Sequence, residues 1–148
     1  MIQHVWTVIC GQSSVDSKSN NLSLFNVLEE ITAEPHPGTP VAGIPLLMLP
    51  FEIVTLWRRF PLEEPAKGSA RILLHAPQTD PEQLGGTHDL DLTEYRRLRT
   101  VISVNSIKLS VSGTYQFILE STSDGQWTEV ARVPLEITLV TPKSDSTP

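Results

Sequence analysis

The chain has 148 residues, enough for one domain that buries about two-thirds of its extended surface without help from a metal or a disulfide. A formal net charge of −6, from 11 basic and 17 acidic residues, argues against nucleic acid or anionic lipid as the main partner, because both are bound by neutralising phosphate with Lys and Arg. The single cysteine, Cys10, excludes an internal disulfide and fits a cytoplasmic setting; no run approaches the ~20 apolar residues that span a bilayer, and Met1–Trp6 lacks the basic start of a secretory signal.

Along the chain, alternation with period two dominates. A first strand is predicted over His4–Cys10, followed by a polar turn from Gly11 to Asn21. A second is predicted over Leu22–Ile31, with Leu22, Leu24 and Asn26 on one side and Phe25 and Val27 on the other. Residues 34–50 hold five of the twelve prolines plus Gly38 and Gly43; proline gives a ladder no amide hydrogen, so an extended surface loop is expected there, with Leu46–Leu49 packing down as a cover. Phe51–Arg58 reads as a third strand, with Phe51, Ile53, Thr55 and Trp57 on one face. Ala70–His75 follows as a strand, Pro77–Gly86 as a turn region, and His88–Leu92 as a short strand. Glu94–Leu98 has the spacing of a helical turn, and alternation resumes over Leu98–Val104.

The remaining strands are Thr114–Ser121, with Tyr115, Phe117 and Leu119 inward, and a last run from Trp127 to Leu139. Asp124-Gly125 between them predicts a type I′ hairpin and antiparallel pairing. In the last run Glu129 breaks the apolar face, and Pro134 predicts an edge or a bulge. Residues 142–148 are expected to form a disordered tail to a single domain spanning 1–141.

Ser112-Gly113-Thr114-Tyr115-Gln116-Phe117 resembles the tyrosine corner that opens a late strand of immunoglobulin-like sandwiches, where a Tyr hydroxyl folds back onto the preceding backbone. Phe117 stands where an antibody domain carries a disulfide cysteine, and Trp57 where such domains bury a tryptophan. The predicted fold is therefore all-β, an antiparallel immunoglobulin-like β-sandwich of about seven to eight strands. Asn20–Val27, Pro50–Ile53 and the corner also resemble a family of small bacterial β-sandwich proteins of unknown function. That resemblance implies a sandwich and a cytoplasmic bacterial setting, and carries over no functional residue.

Catalytic and metal chemistry find little support. Cys10 ends an apolar strand, where cysteine behaves as a small hydrophobe, and its possible bases His4, His36, His75 and His88 are scattered. In His88-Asp89-Leu90-Asp91 a strand turns His88 away from both carboxylates, and the Asp16–Asn21 loop lacks the glycine and glutamate of a calcium loop. Glu29-Glu30 and Glu63-Glu64 read as solubilising charge. No catalytic residue, metal ligand or cofactor is expected.

Binding chemistry has more to offer. Arg97 and Arg99 share a strand face, which reads either as a solvated ridge or as a surface for an acidic partner. Trp6, Trp57 and Trp127 invite comparison with sugar-stacking platforms, but core packing is the simpler expectation, and Trp127 is the one most open to partial exposure. The first strand contains no proline, lysine or acid; as an edge it would invite pairing, with Thr7 and Val8 at the contact. The sequence thus predicts a non-catalytic protein-binding or assembly module, docking an unknown protein partner or a second copy. The alternative is a small-molecule or carbohydrate-binding sandwich using Trp127.

Overall fold

The computed structural model describes residues 1–33, 46–47 and 50–140. The expected cover at Leu46–Leu49, apart from the Leu46–Leu47 backbone, and the expected tail at 142–148 lie outside the described residues.

Eleven β-elements follow one another: β1 (Ile2–Val15), β2 (Leu22–Val27), β3 (Glu30–Ala33), β4 (Leu46–Leu47), β5 (Phe51–Arg59), β6 (Ala66–His75), β7 (Glu82–Leu92), β8 (Arg97–Val104), β9 (Ile107–Lys108), β10 (Gly113–Thr122) and β11 (Thr128–Leu139). They form a four-stranded sheet in the order β2-β1-β5-β8, a five-stranded sheet in the order β3-β11-β10-β6-β7, and the small pair β4-β9. The fold is all-β, with nine strands in the two main sheets. Among the described residues, no helix is long and apolar enough to cross a membrane.

The core forms where the inward faces of the two sheets meet. Phe51, Ile53 and Trp57 come from β5, Tyr115, Phe117 and Leu119 from β10, Leu135 and Ile137 from β11, and Leu90 and Leu92 from β7. The rings of Phe51 and Phe117 meet edge to face across the layers, with centroids 5.7 Å apart. Trp57 is fully buried, donates its indole N–H to the Thr100 hydroxyl at 3.1 Å, and meets the His4 ring edge-on. The Tyr115 hydroxyl donates to the Val111 carbonyl at 2.7 Å and accepts from the Ser110 amide at 3.3 Å, which is the expected fold-back onto the preceding backbone.

Several expectations need correction. The pairing is not wholly antiparallel, because β3 runs parallel to β11 over Glu136–Leu139. The predicted strand Leu22–Ile31 is two strands in different sheets. Asn26 adopts φ 54°, a left-handed conformation that Asn tolerates, and after Leu28 N–H bonds the Ile9 carbonyl the chain crosses to the other sheet. No helical turn forms at Glu94–Leu98, because Arg97 and Leu98 are already paired in β8 with Arg58 and Trp57.

Asp124-Gly125 does connect antiparallel strands, but not as a type I′ turn, which needs φ > 0 at both residues. Only Gly125 is positive, at 94°. It sits in the longer loop between β10 and β11, where the Thr122 hydroxyl accepts the Gly125 amide and the Asp124 carboxylate accepts the Gln126 amide. Glu129 falls out of phase because of a bulge: Leu119 opposes Ala131 while Glu120 opposes Glu129, leaving Val130 extra. β7 extends back to Glu82 through a larger bulge, in which Gly85, Gly86 and Thr87 lie opposite Arg71 alone. Gly85, at φ 72°, supplies the left-handed residue that this detour needs.

The first strand lies between β2 and β5 in the sheet order, yet among the described residues its first half has a partner on one side alone and is an open edge there. β5 pairs with β1 along Ile2–Cys10 and β2 pairs with it along Cys10–Val15. The one-sided half is kinked by a bulge at Val5, where the register shifts between His4 and Trp6. Sequence alternation marks β1 as a strand but cannot say which strands lie beside it.

Candidate functional site

The outward face of the four-stranded sheet departs from the usual polar pattern. Cross-strand register sets Val8 beside Val54 and Val54 beside Val101, and sets Cys10 beside Val27. Val54 and Cys10 are fully buried although they alternate with the core positions Ile53 and Ile9. Val101, Phe25 and Val27 are 45 %, 52 % and 53 % exposed. Burial, and secondarily the Glu52 carboxylate, pushes the Cys10 thiol pKa up, away from nucleophilic reactivity.

On this face lies a groove of about 690 Å³, with Trp6 and Leu56 among its lining residues. Arg97, Arg99 and Tyr95 line it on the β8 side, and the turn residues Asn20 and Asn21 opposite. That turn is held by Asp16, whose carboxylate accepts the Lys18 and Ser19 amides at 2.8 and 2.9 Å; these bonds also hold its pKa below the usual carboxylate range. The Arg99 guanidinium donates to the Asn20 carbonyl and ties the turn to β8.

The electrostatics of the groove follow from register. Arg97 lies directly opposite Arg58, and Arg99 opposite Leu56, so three guanidiniums share one face of two adjacent strands. Like charges set opposite one another cost stability. Arg58 spends its side chain on the Gln3 amide oxygen at 3.0 Å and on the Phe60 ring. Among the described residues the ion pairs are Arg71–Glu120, Arg96–Glu63 and Arg132–Glu129; none involves Arg58, Arg97 or Arg99. A cationic rim without ion pairs among the described residues, beside a half-buried tryptophan, suits an anionic ligand with an apolar component.

The other singled-out residues are placed elsewhere. Thr7 turns inward, sharing hydrogen bonds with the Thr55 hydroxyl at 3.0 Å and the His4 ring at 2.7 Å, so its side chain is not presented for docking. Trp127 is half-buried on the outer side of the five-stranded sheet, with the Arg71 guanidinium 4.2 Å from its ring centre and Arg71 paired to Glu120. That stacking occupies one ring face. Tyr115, Trp57 and Phe117 are all core.

Arg59, adjacent to exposed Arg58, is buried and donates to the carbonyls of Leu62, Leu92 and Thr93, so it closes one end of the sandwich and takes no part in a surface cluster. Asp91 accepts from the Thr93 amide and hydroxyl and caps the turn after β7. Trp6 is the aromatic that the sequence placed with the core and that the groove uses. The signal for it was faint: the Val5 bulge sets the phase of its strand, and no periodicity announces a bulge.

Neither a family profile nor a curated protein matches the chain. Among solved structures it is similar to a β-glucosidase from Listeria innocua, determined with glucose and without it. In both comparisons the TM-score is 0.50 and the identity 9 %; the match covers 90 % and 91 % of this chain and 16 % of the glucosidase chain. At that identity the likeness concerns the fold alone.

Proposed function

We propose that this protein is a non-catalytic binding module of the immunoglobulin-like sandwich type, acting in a bacterial cytoplasm, which docks an acidic protein partner on the outward face of its four-stranded sheet. The tyrosine-corner hydrogen bonds of Tyr115 and the buried Trp57 favour the immunoglobulin-like type. The observation that carries the docking reading is the groove: among the described residues Arg97 and Arg99 have no carboxylate partner, and they line it together with Trp6 and Leu56, in a chain whose net charge is −6. Arginine beside an aromatic side chain is what interfaces enrich.

The test is selection of displayed peptides by the wild type and by Arg97→Glu/Arg99→Glu, in parallel with a glycan panel. Trp6 emission is read by difference from Trp6→Phe. Acid-rich peptides retained by the wild type and lost by the reversed variant are expected. Sugars that perturb Trp6 equally in both proteins, with no acidic peptide selected, would overturn the reading in favour of a carbohydrate module.

A further inference from the structure

The free edges of the two sheets are not equivalent. β3 is four residues long, β2 is broken by the left-handed Asn26, and β7 by the Gly85–Thr87 bulge. β11 pairs with β3 only over Glu136–Leu139, and its open stretch carries Pro134 and the Val130 bulge. The one-sided half of β1 has the bulge at Val5. Bulges, prolines, short strands and edge charges are the devices that keep an edge from pairing. β8 has no bulge, no proline and eight residues; its one guard is the positive charge of Arg97 and Arg99, which an acidic strand would neutralise. It pairs with β5 from Val104 to Arg97 in unbroken register, and among the described residues nothing pairs with its other side.

The phase of that open side is set by one hydrogen bond. Arg59 N–H donates to the Arg96 carbonyl at 3.1 Å, and the alternation of an antiparallel ladder then turns the backbone groups of Leu98, Thr100, Ile102 and Val104 toward β5. Those of Arg97, Arg99, Val101 and Ser103 face outward from the edge. The side chains of these same residues lie on the outward face, where among the described residues Arg97 and Arg99 have no acidic partner.

A second feature adjoins the edge. A pocket of about 220 Å³ lies between β7 and β8, lined by Ile72, Leu84 and the Gly85–His88 bulge on one side and Ile102 on the other. The His88 Nε2 atom is buried there and has no hydrogen-bond partner among the described residues. Buried ring nitrogens are nearly always paired with protein or water, so a polar group entering the pocket would meet this atom with bonding capacity to spare.

We propose that the acidic partner binds as an added β-strand on β8, antiparallel to it. Two acidic side chains at alternate positions would oppose Arg99 and Arg97, and an inward side chain opposite Ile102 would enter the His88 pocket. Strand addition of this kind takes affinity from main-chain hydrogen bonds and specificity from alternate side chains. Because the added strand runs opposite to β8, the pocket residue precedes the acids. A Thr at the pocket position brings a methyl group to Ile72 and Ile102 and a hydroxyl to His88 Nε2. The inference rests on the acidic-partner reading above and adds the manner of binding.

The probe is the capped peptide Ser-Thr-Val-Thr-Glu-Thr-Glu, whose Thr after Ser opposes Ile102 and whose Glu residues oppose Arg99 and Arg97. N-methylating the Val and the first Glu blocks amides that face β8; N-methylating the two later Thr residues blocks amides that face away. The first pair should weaken binding about tenfold or more, and the second pair little. Val101→Pro removes an outward amide without touching the β5 ladder, as an edge strand permits, and should lose binding while its melt stays close to wild type. Hydrogen exchange at the Arg99 and Val101 amides should slow when the peptide is bound.

If the peptide binds but both methylation patterns act alike and β8 exchange is unchanged, strand addition is wrong and groove docking survives. If neither this peptide nor any selected acidic peptide binds, both readings fall.

Discussion

Replacing Tyr115 with Phe removes one oxygen and almost no volume, so the cost isolates the hydrogen bonds of the corner. The hydroxyl is buried, donates to Val111 at 2.7 Å and accepts from Ser110 at the weaker distance of 3.3 Å. A net intramolecular hydrogen bond contributes about 1 kcal/mol, and a buried carbonyl left without a partner adds a desolvation penalty. Together these predict a loss of about 1–3 kcal/mol, most of it from Val111. With a urea slope of about 1–3 kcal/mol per molar for a domain of this size, the midpoint should fall by about 1 M. Equilibrium urea melts followed by tryptophan emission measure this directly, because Trp57 is wholly buried. Tyr95→Phe is the control, since Tyr95 is 66 % exposed and should melt with the wild type. A Tyr115→Phe midpoint indistinguishable from that control would refute the claim that the corner holds the Ser110–Tyr115 segment in place.

The Cys10 thiol, fully buried and with its pKa raised by burial and by Glu52, should react with a disulfide reagent only as fast as the fold opens; rapid labelling of the native protein at neutral pH contradicts this. Burial lowers the pKa of His4 and of His88, so between the ordinary histidine value near 6.5 and the lower native values the unfolded chain binds the extra protons; stability should therefore fall as pH drops below about 6.5, and His88→Leu should flatten part of that slope in melts from pH 7 to 5. Arg59→Ala leaves the carbonyls of Leu62, Leu92 and Thr93 without their donor and should cost at least about 2 kcal/mol in denaturant melts, whereas Arg58→Ala, on the surface, should cost under about 0.5 kcal/mol.

Local pattern was enough to identify most strands and the inward set of the core. Phe51, Ile53 and Trp57 alternate on β5, as Tyr115, Phe117 and Leu119 do on β10, because side chains on a strand alternate faces whatever lies beside it. The tyrosine corner was legible for the same reason: its hydrogen bonds close within five residues of chain. The adjacency of Arg97 and Arg99 on one face was equally local.

Tertiary structure decided everything that depends on which strand lies next to which. The crossing of Glu30–Ala33 to the second sheet turns on Asn26 and on a parallel partner more than a hundred residues away. Arg58 faces Arg97, and Trp6 enters the groove, only through the register of β1, β5 and β8. The bulge at Val5 has no mark in sequence, those at Gly85–Thr87 and Val130 only a glycine pair and an out-of-phase Glu129, and together with Pro134 they leave β8 as the eight-residue edge with neither bulge nor proline. Alternation specifies a strand's two faces, whereas its two edges are specified by hydrogen bonds to segments that fold in from elsewhere in the chain.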